Sequence, residues 1–212
     1  MERLKKIATA LERGEDDQVS DLTRQAIEAA LPAGQILDQG LIAGMTVVGQ
    51  RFRNHEIFLP DVLLAAKAMY AGLDLLQPLL AKEGVPVIGR VVIGSVRGDL
   101  HDIGKNLVGI LLKGAGFEVF DLGSDVSPEQ FVDKAVAEDA PVIGMSALLT
   151  TTMPVMRAVV ELVRERGLSG QIKTIVGGAP VSASFATEIG ADAYGFDAAN
   201  AVERIRQLAG VA

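Results

Sequence analysis

RVVIGSVRGDLHDIGKNLVGILLKGAG, residues 90–116, runs from a strand-like stretch through a polar loop into a helix-like one. RVVIGSV (90–96) is a short β-branched run of the kind that fills a buried parallel strand. IGKNLVGILLKGAG (103–116) returns apolar residues every three or four positions, which predicts a helix. Between them GDLHDIGKN (98–106) crowds two carboxylates, one histidine, a lysine and two glycines into nine positions. The same texture repeats downstream. Strands are expected at EVFDLG (118–123), VIGMSAL (142–148), KTIVGGA (173–179) and AYGFD (193–197). Helices are expected at 127–140, 153–167, 182–190 and 199–210, and Ser127, Pro128 and Gln130 form a capping-box start for the first of these. Five βα units in a row imply a parallel sheet with helices on both faces. They favour the doubly wound strand order 2-1-3-4-5.

Upstream the texture differs, because the first 82 residues carry no convincing strand pattern. ERLKKIATALERG (2–14) places Leu4, Ile7, Ala8 and Leu11 on one helical face and ends at Gly14. SDLTRQAIEAAL (20–31) reads as a second helix with Ser20 as its N-cap, and residues 32–52 as a third. LPDVLLAAKAMYAGLDLLQPLL (59–80) is the fourth, with Pro60 in the first turn and Pro78 expected to bend or end the last. Short connections suggest a four-helix bundle. Gly40, Gly44 and Gly49 recur along the third helix, which points to close helix packing. EGVPVIG (83–89) reads as the linker, dividing a helical domain, 1–86, from an α/β domain, 87–212.

Bulk composition narrows the function. The chain is 49% hydrophobic but only 4% aromatic, with no tryptophan, so aliphatic side chains must fill its cores. It has no cysteine, which excludes disulfides, thiolate zinc sites and a cysteine nucleophile, and fits a reducing cytoplasm. A net charge of −7 without a basic stripe argues against binding nucleic acid. The opening MERLKKIATALERGEDD has neither a signal-peptide core nor a membrane span, and no apolar stretch approaches ~20 residues. A soluble, cytoplasmic protein is expected.

In the order 2-1-3-4-5 the first, third and fourth strands lie side by side, with their carboxyl ends on one edge where ligands usually sit. The loop after strand 1 is GDLHDIGKN. After strand 3 come Ser146, Thr150, Thr151 and Thr152, and after strand 4 Gly177 and Gly178. Each loop also has a plain structural reading. Asp102 suits a helix cap, the threonines suit capping, and the glycine pair suits a tight turn. Their convergence on neighbouring strand ends favours a ligand. His55, in RNHEIF (53–58), is expected to be solvated, which leaves His101. A zinc or iron site built by protein alone needs three or four ligands. One imidazole suits instead an axial position on a metal whose other ligands come from a macrocycle. Asp99, two residues earlier, is spaced to accept the proton on the other ring nitrogen, and a hydroxyl from Thr150–Thr152 to orient Asp99 in turn.

These residues also carry a family resemblance. Asp99-Leu-His101-Asp-Ile-Gly104, then 41 residues, Ser146-Ala-Leu148, then 28 residues, Gly177-Gly178, resembles the cobalamin-binding signature of methionine synthase and its relatives. GMTVVGQRFRNHEIFLPDVLLAAKAM (44–69) resembles the helical cap that precedes the corrinoid domain in methyltransferases. Together the two cover nearly the whole chain, which is most similar in kind to the free-standing corrinoid proteins of methylamine, methanol and methoxyaromatic methyltransferase systems. The implied fold is a four-helix cap joined to a flavodoxin-like, doubly wound α/β domain.

The resemblance implies a cobamide such as methylcobalamin, bound base-off and His-on, with His101 as the metal ligand beneath cobalt. The displaced nucleotide tail would thread beside Ser146, Leu148, Gly177 and Gly178, with Gly104 leaving room at the helix start. Asp99 matches the family's proton-relay carboxylate, and Thr152 the hydroxyl behind it, where serine is frequent. Asp102 and Thr150 join the cofactor-binding set. On the upper face the family places an apolar cap, for which Phe58, Leu59, Val62, Leu63 and Met69 are the candidates. No residue is expected to act catalytically by itself. The implied role is a methyl shuttle in one-carbon metabolism between a substrate-specific methyltransferase and a second one serving a folate or thiol acceptor, with a reductive activase as a further partner. Two other users of the motif stand as alternatives. Radical isomerase subunits bind adenosylcobalamin but usually pair the motif with a large barrel. B12-dependent sensors share a similar cap but usually add a DNA-binding module. A phosphoacceptor receiver, with the same sheet order, needs an acidic pair at the end of strand 1, and Asp99 and Asp102 lie too far into the loop.

Overall fold

The computed structural model describes residues 2–83 and 87–211, so linker positions 84–86 of EGVPVIG lie outside the described residues. The chain divides into two compact units, one running up to Val87 with Gly114–Gly116, the other Ile88–Lys113 with Phe117 onward.

The first unit is helical: α1 (Glu2–Glu12), α2 (Asp16–Glu28), α3 (Ala33–Ile36), a π-helical segment (Leu37–Ile42), α4 (Ala43–Arg53) and α5 (Leu59–Glu83). Its core is aliphatic, drawn from Leu4, Ile7, Leu11, Val19, Ile36, Leu41, Val48, Val62 and Leu76. The second helix starts before Ser20. Gly14, at φ 71°, turns the chain, and α2 begins two residues later with Asp16 and Asp17 in its first turn. Negative charge is favourable at that end of a helix, and Asp16 also pairs with Lys67 at 2.7 Å. The third helix is continuous over residues 33–53 but widens into the π segment, which the sequence pattern did not announce. Two of its three glycines fit close packing. A Cβ at Gly44 would lie 2.8 Å from the Ala8 carbonyl oxygen, and one at Gly40 3.2 Å from Ile7, whereas Gly49 has nothing within 4 Å. α5 runs through Pro78 to Glu83, so the proline does not end the helix. Proline removes one backbone donor near the end of a long helix and leaves the preceding turns intact.

The second unit holds a five-stranded parallel sheet in the order β2-β1-β3-β4-β5, the order expected. The strands are β1 (Arg90–Ser95), β2 (Glu118–Asp121), β3 (Val142–Ser146), β4 (Lys173–Gly177) and β5 (Ala193–Gly195). Between and after them lie α6 (Ile103–Gly114), α7 (Pro128–Ala137), α8 (Met153–Glu165), α9 (Ala183–Ile189) and α10 (Ala198–Leu208). β1 is buried from Val91 to Ser95, as a central parallel strand covered on both faces must be. Phe131, Ile143, Met145, Met156, Val159 and Val176 build one of the layers packed on the sheet. α7 starts on the capping box read from the sequence. Gln130 N–H donates to Ser127 Oγ at 3.3 Å, and Ser127 N–H to Gln130 Oε1 at 2.8 Å. Among the described residues no helix is long and apolar enough to cross a membrane.

Candidate functional site

Ser95 pairs with Ser146 and Ser146 with Gly177, so the last residues of β1, β3 and β4 form one row across the sheet. The three loops that leave this row are therefore neighbours, and Asp99, His101 and Thr152 meet there.

Asp99 is the hub. Its side chain is fully buried, and five donors converge on it. On Oδ1 it meets the His101 backbone N–H at 3.1 Å and the imidazole Nδ1 at 2.8 Å. On Oδ2 it accepts Leu148 N–H at 2.7 Å, Leu149 N–H at 3.1 Å and the Thr152 hydroxyl at 2.8 Å. Burial pushes the carboxyl upward, but the Leu148 amide, the His101 ring and amide, and the Thr152 hydroxyl outweigh it and hold Asp99 far below the ordinary carboxylate range. An ionised carboxylate can only accept, so Nδ1 of His101 carries a proton and donates it to Asp99, and Nε2 is the ring nitrogen left outside that bond. The His101 side chain is 52% exposed, so the ring is open to a ligand. No group of three or more His, Asp or Glu side chains suited to a metal ion occurs among the described residues.

The remaining candidates divide. Thr152 is the hydroxyl that reaches Asp99, while Thr150 is exposed and takes no part in that network. Leu148 contributes its amide and leaves its side chain exposed. Ser146 is half-buried, with its carbonyl accepting Val96 N–H at 3.0 Å. The Asp102 carbonyl accepts Asn106 N–H at 2.7 Å as the first turn of α6 begins. A Cβ at Gly104 would meet nothing within 4 Å, so the space at the start of α6 is open. Gly178 is glycine for a different reason. Its φ is 127°, and a Cβ would lie 1.9 Å from the Ala147 carbonyl oxygen, so β4 and the β3 loop approach too closely for a side chain. At Gly177 the corresponding distance, to the Gly195 carbonyl oxygen, is 3.0 Å. In the helical unit Phe58 and Leu63 are exposed, Leu59 is half-buried, and Val62 and Met69 are buried. Val62 and Met69 face the interior because they follow the apolar stripe of α5. His55 is exposed, as expected.

Three partners carried no signal in the sequence. Ser95, fully buried in β1, donates its hydroxyl to the His101 carbonyl at 2.7 Å. Lys105 is buried and binds Asp121 at the end of β2, with Nζ–O distances of 2.5 and 2.6 Å. A serine within a strand, and a lysine sixteen residues from its carboxylate, become meaningful only once the sheet is formed.

Comparison with known proteins gives the family. The B12 binding domain family matches residues 89–205, and a second family of the same description matches residues 3–77. A corrinoid protein of Desulfitobacterium hafniense is 41% identical over 99% of both chains. Dimethylamine corrinoid protein 3 of Methanosarcina acetivorans is 42% identical over 97% of this chain and 96% of its own. Among solved structures, the methanol:cobalamin methyltransferase complex MtaBC of Methanosarcina barkeri is similar with a TM-score of 0.89 and 34% identity, covering 99% of this chain and 81% of that one.

Proposed function

This chain belongs to the B12 binding domain family of corrinoid proteins, and on that premise we propose that it carries a methyl group on a cobamide between partner methyltransferases. The observation that carries the reading is the 2.8 Å contact between Asp99 and His101 Nδ1, which leaves Nε2 as a single outward ligand. The residues present fit such a group. A corrin brings its own equatorial nitrogens and asks the protein for one axial donor and an apolar bed. Leu100 and Ile103, on either side of His101 in sequence, are 75% and 71% exposed and suit that bed.

In this reading the cofactor binds base-off and His-on. His101 would hold the cobalt through Nε2, with Asp99 fixing its tautomer and orientation and Thr152 orienting Asp99. Ser146, Leu148, Gly177 and Gly178 would hold the displaced nucleotide tail, with Gly104, Asp102 and Thr150 bordering its entry. Residues 87–212 form the cobamide domain. Residues 1–86 would serve as the cap, with Phe58 offering exposed apolar surface that would exclude water from the bound group and Val62 supporting that helix from within. The bound corrin cobalt supplies the methyl-transfer reactivity, and the chain supplies orientation, axial tuning and shielding. The chain alone turns over no substrate. Its partners are a substrate-specific methyltransferase, a second methyltransferase acting toward a folate or thiol, and a reductive activase, in the cytoplasm.

The test is replacement of the axial ligand. His101→Ala, loaded with cobalamin and reduced to cobalt(II), is expected to lose the protein-nitrogen splitting from its electron paramagnetic resonance spectrum. A splitting that survives unchanged removes His101 from the metal.

A further inference from the structure

Leu122–Ser127, the segment after β2, runs beside the end of β1. Ser95 N–H donates to the Gly123 carbonyl at 2.9 Å, and Val126 N–H to the Ser95 carbonyl at 3.0 Å. From that position the segment grips the histidine loop through one residue, Asp125. Its Oδ1 accepts Gly98 N–H at 2.7 Å, and its own N–H donates to the Asp99 carbonyl at 3.1 Å. The two bonds hold both ends of the Gly98–Asp99 dipeptide.

Two further facts give this clamp meaning. Gly98 is at φ 82°, so the loop enters the motif on a residue with the widest backbone freedom. Asp125 is itself at φ 59°, a left-handed conformation that glycine adopts with least strain. A turn that needed only to reverse direction would be served by glycine. A side chain kept there despite the strain makes a bond that glycine does not offer. With Ser95 holding the His101 carbonyl and Asp121 holding Lys105, the backbone from Gly98 to the first turn of α6 is tied down from outside the motif.

We propose that Asp125 is a positioning residue for His101. By fixing the Gly98–Asp99 backbone it sets the direction in which the imidazole Nε2 points. The Asp99 side chain holds the ring, and Asp125 holds the loop that carries both. This inference rests on His101 being the axial ligand. Asp125 is exposed, so its replacement removes the clamp without opening the core.

The experiment uses the full chain labelled with nitrogen-15, loaded with unlabelled cobalamin and reduced to cobalt(II). A protein imidazole and the cofactor's own base then give different nitrogen splittings. Wild type, Asp125→Asn, Asp125→Gly and Asp125→Ala are compared, with cofactor occupancy and thermal unfolding measured on each. Asparagine accepts the same Gly98 bond and tolerates the same φ, so it is expected to keep the wild-type fraction bound through His101. Glycine and alanine, folded and loaded, are expected to lower the ratio of His-on to His-off cobalt about tenfold, as loss of an outer-shell partner does. Retention of the wild-type ratio in the glycine variant, or its loss in the asparagine variant, overturns the proposal. Absence of the imidazole splitting from wild type defeats the axial-ligand reading itself, a result distinct from either.

Discussion

At Gly178 two penalties coincide: a φ of 127°, and a carbonyl oxygen 1.9 Å from where a Cβ would stand. Gly178→Ala is therefore expected to lower stability by about 3 kcal/mol, the sum of backbone strain and forced displacement of the β3 loop. Urea unfolding measures it, and an unshifted midpoint would mean that the Ala147 peptide gives way freely. The contrast with Gly104, where the same atom meets open space, separates a glycine that packing requires from one that leaves room. Asp99 and His101 were legible in the sequence because they are two residues apart, and a short loop brings such a pair together whatever surrounds it. Thr152 was legible only as one of three adjacent hydroxyls. Its selection over Thr150 depends on how the β3 loop meets Asp99 across 53 positions of chain.

Elements follow local chemistry where local chemistry is strong. The capping box at Ser127 and Gln130 starts α7 as its spacing predicts, and Ser127→Ala is expected to cost about 1 kcal/mol, read as a lower melting temperature with an unchanged fold. Where local signals are weak, tertiary contact decides. Ser20 has the chemistry of an N-cap but sits inside α2, because the left-handed turn at Gly14 restarts the helix at Asp16. The π segment Leu37–Ile42 was not read from the sequence, since a single widened turn takes up one extra residue and is too short an interruption for a helical repeat to mark. Strand-like runs of three to six residues, each followed by a helix, left little choice for the α/β unit.

The sheet brings the loops after β1 and β3 together around one buried carboxylate, and this links the site to the stability of the whole chain. Asp99 is held below its ordinary value of 3.8 in the folded state, so the unfolded chain takes up the proton first as pH falls. Its contribution is complete above about pH 4 and drains away as the solution is acidified through and below that range. Wild type is thus expected to lose stability more steeply between about pH 4 and pH 3 than Asp99→Asn, which is weaker at neutral pH and flatter in acid. Equilibrium unfolding at a series of pH values checks this. Parallel slopes for the two proteins would show that Asp99 is not a principal acid-labile support.

Strand and helix alternation, the order of the sheet, and the spacing of Asp99, His101, Ser146 and Gly177 were all readable from the chain itself. Periodicity and short-loop geometry act over a few covalent links, and handed βα crossovers leave few ways to arrange five such units. The folded structure alone decided which threonine reaches the carboxylate, why Gly178 admits no side chain, that Val62 points inward, and that Ser95 and Asp125 brace the histidine loop. Those outcomes depend on which atoms distant segments present to one another at hydrogen-bonding range, a property of the packed molecule that no local pattern encodes.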